Sequence, residues 1–415
     1  MAPGELSASY QRLFELDVSS FADSEYQFVW HHNDVREVLQ ARNDSLTVER
    51  SLVPRVGFAA LALYPRNWLP FARDLVPLPV HATADNTDPA SHAKIWKAMA
   101  STHTGYLTSH SSPEFMDKHF EAALAQQIQK SGREVCIDVS RLAVDYSARL
   151  VAEMVSVPEE RWPDIKRWSQ AQSGLLGQRV PRSEQPQAIA SLGQLFRLGK
   201  QLVTTTVERS DDYAEKDTFV KHLLNEGVPP AHAVSVFANS VAAGVFTISG
   251  SLQLSTEGLL DPTTNLENWA RLGTQSQVMP VTNEALRLYP GLIAWPRFAI
   301  KEVTLSSGTT LKKGAVLALT GAANRDPSVI DSPNEFNAQR PASVSAASLT
   351  FGKGAHQCPG QDPSRRAVAA FLSGLHAAVP DAELIEHPDA HKPVVQDRLF
   401  NSTQVMLRAP RLHAL

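Results

Sequence analysis

The sequence predicts a mostly α-helical protein with small β-sheets, folded as a single domain over residues 1–415. Three observations carry this expectation. Apolar residues recur at helical spacing from about 91 to 290 and again over about 361–380. Turn-rich, strand-like texture is confined to short stretches, at about 25–60, 297–320 and 395–410. No internal repeat, low-complexity linker or sharp charge boundary divides the chain, although its length alone would suggest two or three domains.

The elements follow in order. The opening "MAPGELSASYQRLFELD" lacks the basic start and apolar stretch of a secretory signal. From Leu52 to Asp88 the chain is rich in Pro and aromatics and reads as a long loop region, with Trp68 and Phe71 as a candidate lid; for Trp68 plain packing is the competing role. "DYSARLVAEMVSV" is helical and stops near Pro158, "QAIASLGQLFRLGKQLVTTTVE" is a second helix, and "TFVKHLLNEG" closes on glycine. Ala231 to Leu260 is apolar on most sides, as a central buried helix would be. After Arg297, "FAIKEVTLSSGTTLKKGAVLALTGAAN" alternates and suggests a small sheet. The last helix, Pro363 to Val379, carries Val368, Phe371, Leu375 and Val379 on one stripe.

Composition narrows the function. There are 39 Lys plus Arg against 43 Asp plus Glu, a net charge of −4, which announces neither a nucleic-acid nor a membrane partner. No apolar run approaches the roughly 20 residues needed to span a bilayer. Two cysteines, Cys136 and Cys358, argue against a disulfide framework and for a reducing cytoplasm.

Cys358 stands in "FGKGAHQCPGQDPSRRAV". A lone cysteine is most often an inert buried thiol. Here Phe351, Gly354, Cys358 and Gly360 set it in a glycine-rich loop whose backbone can approach a flat ligand, just ahead of a helix N-terminus that favours a thiolate. A thiolate so held is a good axial ligand to haem iron and favours O–O cleavage. A zinc site fits poorly, since no second cysteine or His pair lies at ligand spacing.

"FGKGAHQCPG" resembles the haem-binding signature of the cytochrome P450 family. From this chain's composition, Phe351, Gly354, Cys358 and Gly360 would fall at that spacing by accident in roughly two chains per ten thousand. The resemblance runs from about Trp30 to Arg411 and implies a triangular helical prism around haem b, with Cys358 as the iron ligand. It also implies a buried structural network of Glu284 and Arg287 from "EALRLYP" with Arg340 from "ANRDPSVIDSPNEFNAQRP"; without the resemblance, an i,i+3 Glu/Arg pair is usually a surface bridge. For the haem propionates it implies His92 in "DPASHAKIW", Arg297 in "WPRFA" and His356 in "GAHQC". One departure stands out: many relatives carry Arg four residues after that first His, where this chain has Trp96.

The family's central helix carries Ala/Gly-Gly-x-Asp/Glu-Thr. "VAAGVFTISGSL" supplies Ala243, Gly244 and Thr247, but Phe246 holds the acid's place. Gly244 is expected to leave room for oxygen or substrate. The Thr247 hydroxyl either bonds an oxygen ligand or bonds a carbonyl one turn back. Phe246 either forces proton delivery by another route, so that a phenol or indole couples without oxygen insertion, or only shapes the pocket. Expected substrate walls are Ala243, Phe246, Ile293, Ala294 and Phe400, with Trp68.

"AGVFTISGS" and "WPRFA" resemble actinobacterial members acting on cyclodipeptides (diketopiperazines). The resemblance therefore implies oxidative coupling of tryptophan-containing diketopiperazines; the alternative is a conventional monooxygenase hydroxylating a natural-product intermediate. A peroxide-driven variant and a haem-binding sensor without turnover are further alternatives, the Gly244/Thr247 niche counting against the sensor. Electrons would come from ferredoxin and a ferredoxin reductase, docking near Lys353, Arg365 and Arg366, to a cytoplasmic monomer with no nucleic-acid or membrane partner.

Overall fold

In a computed structural model, residues 3–385 and 404–413 are described, except 17, 19, 23–25, 42–44, 48–61, 64, 67–68, 70–88, 132–133, 173–182, 209–216 and 262–265. The chain begins with α1 (Pro3–Phe14), β1 (Ser20–Ala22), β2 (Tyr26–Val29), α2 (His32–Gln40) and β3 (Leu46–Thr47). Then come α3 (Pro89–Thr102), α4 (Pro113–Gln127), β4 (Ile128–Ser131), β5 (Glu134–Asp138), α5 (Val139–Met154), α6 (Trp162–Gln172), α7 (Gln185–Glu208), α8 (Phe219–Asn225) and α9 (Pro230–Leu259). The remainder forms α10 (Leu266–Arg271), α11 (Gln275–Leu288), β6 (Trp295–Ala299), β7 (Val303–Thr304), β8 (Thr310–Leu311), β9 (Gly314–Ala318), α12 (Thr320–Ala323), α13 (Ala342–Ala347), α14 (Gln361–Ala378), β10 (Glu383–Ile385) and β11 (Met406–Ala409). The structure is mostly helical with small sheets, as the periodicity predicts.

Two compact units emerge: residues 1–46, 113–146 and 247–415 form the first, residues 47–112 and 147–246 the second. In the first, β2 runs parallel to β9, β6 pairs antiparallel with β9, and the sheet order is β1-β2-β9-β6-β3. Its inner face and α2 bury Val29, Val35, Leu39, Val316, Ala318 and Leu349 together. A second sheet, β10-β11-β5-β4, joins residues 128–138 to the chain's end. Its β4–β5 hairpin falls inside the stretch expected to be helical. Val135 and Ile137 of β5 are buried, and the strand pairs with β11, far away in sequence.

The last helix presents the predicted stripe: Val368, Phe371, Leu375 and Val379 are all buried. Phe371 meets Phe120 of α4 edge-on at 5.5 Å, and Tyr146 of α5 donates to Ala367 O at 3.1 Å. These contacts clamp the helix that follows the cysteine loop. In the second unit, α8 ends at Gly227 with φ +80°, while the Val228 N–H closes back on Leu223 O at 3.0 Å, a turn glycine makes at no steric cost. A π-helical turn, His103–Leu107, continues α3. His103 is buried there, its Nδ1 bonded to Met99 O (2.7 Å) and its Nε2 to Ser240 Oγ of α9 (3.1 Å). Burial outweighs the Met99 hydrogen bond and lowers its pKa to about 4.

α9 is long and apolar enough to cross a membrane by composition, but most of its apolar stretch is buried within the protein, as in a core helix.

Candidate active site

The cysteine loop is built by backbone hydrogen bonds and two left-handed glycines. Gly352 N donates to Leu349 O (2.9 Å), Gln357 N to Gly354 O (3.1 Å) and Cys358 N to Phe351 O (2.8 Å). Gly352 and Gly354 have φ of +69° and +80°. A side chain at Gly354 would also lie 3.0 Å from Gln40 Cα and 3.1 Å from Leu39 O, so this glycine seats the loop on the end of α2 rather than making room for a ligand. Gly360 differs. Its φ of −87° suits any residue, and the nearest atoms to an added Cβ are Cys358 Sγ and Ser364 Oγ at 3.9 Å. Neither backbone nor packing demands glycine at 360, but a Cβ there would stand against the sulfur, so the glycine leaves that side of Sγ uncovered.

Cys358 is half-buried and free. Burial outweighs its hydrogen bond with the Gly360 backbone and pushes the thiol up to about 11. A bound cation would have to stabilise the thiolate.

The Phe351 ring lies 5.0 Å from the Arg365 guanidinium carbon. His356 is buried in the short turn Gly354–His356. Arg297, on β6, is 3% exposed; among the described residues its guanidinium reaches only backbone carbonyls, Pro296 O (2.8 Å) and Leu39 O (3.5 Å). No carboxylate among the described residues pairs with it, and burial lowers its pKa to about 10. A buried cation without an anion is costly.

Glu284 and Arg287, on α11, are both buried. Arg287 Nε donates to Glu284 Oε2 at 2.8 Å and its Nη2 to Oε1 at 2.7 Å; the same Oε1 also accepts from Arg340 Nε at 2.8 Å and from Asn337 N at 3.1 Å. Burial pushes the Glu284 carboxyl up, but Arg287, Arg340 and the Asn337 N–H outweigh it and hold the pKa below the usual range.

Asn324, which the sequence reading did not single out, joins this cluster to the cysteine loop. Its carbonyl accepts from Arg287 Nη1 (2.8 Å), its Nδ2 donates to Thr350 Oγ1 (2.9 Å), and its Oδ1 accepts from Leu349 N (2.7 Å). Thr350 Oγ1 in turn donates to Leu286 O (2.9 Å). The signal that could have found it is the polar run "NRD" directly after the apolar "LALTGAA"; all three of its residues are buried.

On α9, Asn239, Ser240, Ala242, Ala243, Gly244, Phe246 and Thr247 are half-buried while Val241, Val245 and Ile248 are buried. Gly244 is half-buried and packs closely on one side. Its missing Cβ would stand 3.1 Å from Val151 Cγ2 of α5, so glycine is needed there for helix packing. In the first unit, Gly291 packs directly on α9: an added Cβ would lie 2.5 Å from Thr247 O and 2.7 Å from Ser251 N. Ser251 Oγ donates to Thr247 O (2.9 Å) and accepts from Gly291 N (3.0 Å). This leads the chain past Thr247 into Ile293, half-buried, and Ala294, fully buried. The His92 side chain, Trp68 and Phe400 lie outside the described residues.

Residues 277–375 match the family model described as "Cytochrome P450". Among curated relatives, the chain is 25% identical over 305 residues to the mycinamicin VIII C21 methyl hydroxylase of Micromonospora griseorubida, covering 73% of this chain and 74% of that one. It is 26% identical over 318 residues to the nocardicin C N-oxygenase of Nocardia uniformis subsp. tsuyamanensis, covering 73% of each. The fold matches the P450 heme domain of Tepidiphilus thermophilus with a TM-score of 0.81 at 17% identity, covering 96% of this chain and 93% of that one.

That family and fold imply an oxidoreductase carrying haem with a cysteine thiolate as axial ligand. The residues fit such a group: a half-buried thiol in need of a cation, clear space beside it at Gly360, and a buried arginine in need of an anion.

Proposed function

We propose a function for this chain on the premise that it belongs to the cytochrome P450 family: it is a haem-thiolate oxidoreductase of secondary metabolism acting on a small natural-product intermediate. The reading is carried by the Cys358 loop lying beside the buried, carboxylate-free Arg297. When bound, the haem supplies oxygen activation; the protein supplies ligand, orientation and exclusion of water. Cys358 would ligate the iron, and Arg297, His356 and His92 would hold the propionates. Glu284, Arg287 and Arg340 would lock the loop's support, with Phe351, Gly354 and Gly360 shaping the loop.

Within that class, we infer oxidative coupling of tryptophan-containing diketopiperazines. Its support is Phe246, half-buried on α9 in the acid's place, next to Thr247. A phenyl ring neither holds nor hands on a proton, so the substrate's own N–H or O–H is the natural proton source. Ala243, Phe246, Ile293 and Ala294, with Trp68 and Phe400, would form the walls. Thr247 and Gly244 take the oxygen-side positions, Gly244 by letting α9 sit close against Val151. The relatives named as a hydroxylase and an N-oxygenase favour a second reading, oxygen insertion into a natural-product intermediate. In either case separate redox partners, a ferredoxin and its reductase, would deliver electrons to a cytoplasmic monomer.

The test is a titration of the ferric protein with tryptophan- and tyrosine-containing cyclodipeptides, followed by product mass. A saturable Soret shift with products lighter by hydrogens supports coupling, and products heavier by one oxygen support insertion. A band unmoved by every cyclodipeptide ends the diketopiperazine reading.

A further inference from the structure

The corner beside the cysteine loop holds a second donor besides Arg297. Side chains alternate along β6, so Trp295, Arg297 and Ala299 share a face. That face packs toward α2: Trp295 joins the cluster containing Leu39 and Ala299, and Arg297 reaches Leu39 O. The cysteine loop closes on the same place. A Cβ at Gly354 would lie 3.1 Å from Leu39 O, and one at Gly352 would lie 3.2 to 3.3 Å from Trp295 Cζ2, Cε2 and Cη2. The indole therefore lies against the loop's backbone, and Cε2 is the carbon bonded to Nε1.

Trp295 Nε1 is buried and has no hydrogen-bond acceptor among the described residues. A buried indole N–H rarely goes without one. Arg297 shares the deficit, since among the described residues only backbone carbonyls accept from its guanidinium. One strand face thus carries two buried donors, one charged and one neutral, both short of acceptors and both beside the thiol loop.

We propose that Trp295 Nε1–H donates, alongside Arg297, to a carboxylate of the haem, making Trp295 a positioning residue for the cofactor. The inference rests on the haem-thiolate reading. A carboxylate between the two donors would satisfy the indole N–H and neutralise the guanidinium, and the contact with Gly352 would couple the haem edge to the loop bearing Cys358.

The test uses full-length holoprotein. Trp295→Phe keeps the ring and removes the donor. Haem transfer to excess apomyoglobin is expected to quicken about tenfold, and the propionate bands in the resonance Raman spectrum are expected to shift, while the thiolate signature of the reduced carbon monoxide complex stays. Trp295→His, which keeps a ring N–H, is expected to lose haem more slowly than Trp295→Phe. Trp30→Phe serves as control, because Trp30 Nε1 is equally buried and unpartnered but sits in a separate cluster with Tyr10 and Ala322; its haem loss is expected to match the wild type. Equal haem loss in Trp295→Phe and wild type with unmoved propionate bands, or equal loss in the Phe and His variants, overturns the proposal. If Trp295→Phe yields no holoprotein, comparing Trp295→His with Trp295→Leu decides in the same way. A wild-type protein without a thiolate haem would instead overturn the family reading beneath it.

Discussion

Replacing Glu284 with Gln tests whether the buried cluster on α11 holds the structure together. Glu284 is 5% exposed and Arg287 1%. The substitution keeps the shape but removes the only charge shown opposite Arg287, and it puts an NH2 where donors from Arg287, Arg340 or Asn337 already point. Breaking a buried pair by removing one partner costs about 3–5 kcal/mol. Unfolding entropy of about 2 cal/mol/K per residue turns that into a fall in melting temperature of about 3–6 °C for a chain of this length. The assay is thermal unfolding of holoprotein, followed by far-ultraviolet circular dichroism and by the Soret band. pH gives a second handle. The Glu284 pKa is depressed in the folded state, so its stabilisation is present above the ordinary carboxylate pKa and is lost as pH falls through the depressed one. The gap between wild type and variant is therefore expected to narrow on acidification below about pH 4. Equal melting temperatures at pH 7, or a gap that stays constant in acid, would refute the reasoning.

Gly291→Ala drives a Cβ to 2.5 Å from Thr247 O; it is expected to destabilise by at least about 1–3 kcal/mol in denaturant unfolding and to weaken the substrate-induced Soret shift. His103 is held neutral with a pKa of about 4, so on acidification the unfolded state takes up its proton first. Wild-type stability should fall from about pH 6.5 to 4, and His103→Phe should flatten that part of the urea-midpoint profile. Phe246→Asp restores an acid on α9 and is expected to move products from coupled toward oxygen-inserted, read by product mass; an unchanged ratio counts against the role given to Phe246.

What could be read in advance was what neighbours in sequence decide. The stripe of α14, the apolar length of α9, the glycine closing α8 and the Phe351–Gly360 loop are written in local spacing, and so is the i,i+3 approach of Glu284 and Arg287. What could not be read depends on partners distant along the chain. β5 looks like part of a helical stretch until β11 supplies its ladder. Gly244 shows its packing role only once Val151 is set against it, and Asn324 shows none until Arg287, Leu349 and Thr350 converge on it. The cysteine loop shows both sides. Its motif was legible, but only the fold shows that Gly354 serves the contact with α2 while Gly360 leaves the space beside the sulfur.

The central claim is that Cys358 ligates a haem iron as a thiolate. The most direct measurement is the absorption spectrum of the reduced protein under carbon monoxide, for wild type and Cys358→His. The wild type is expected to show the red-shifted Soret band of a thiolate-ligated haem, and the variant that of a histidine-ligated haem. A wild-type protein that takes up no haem, or whose band is unchanged by Cys358→His, would contradict the claim.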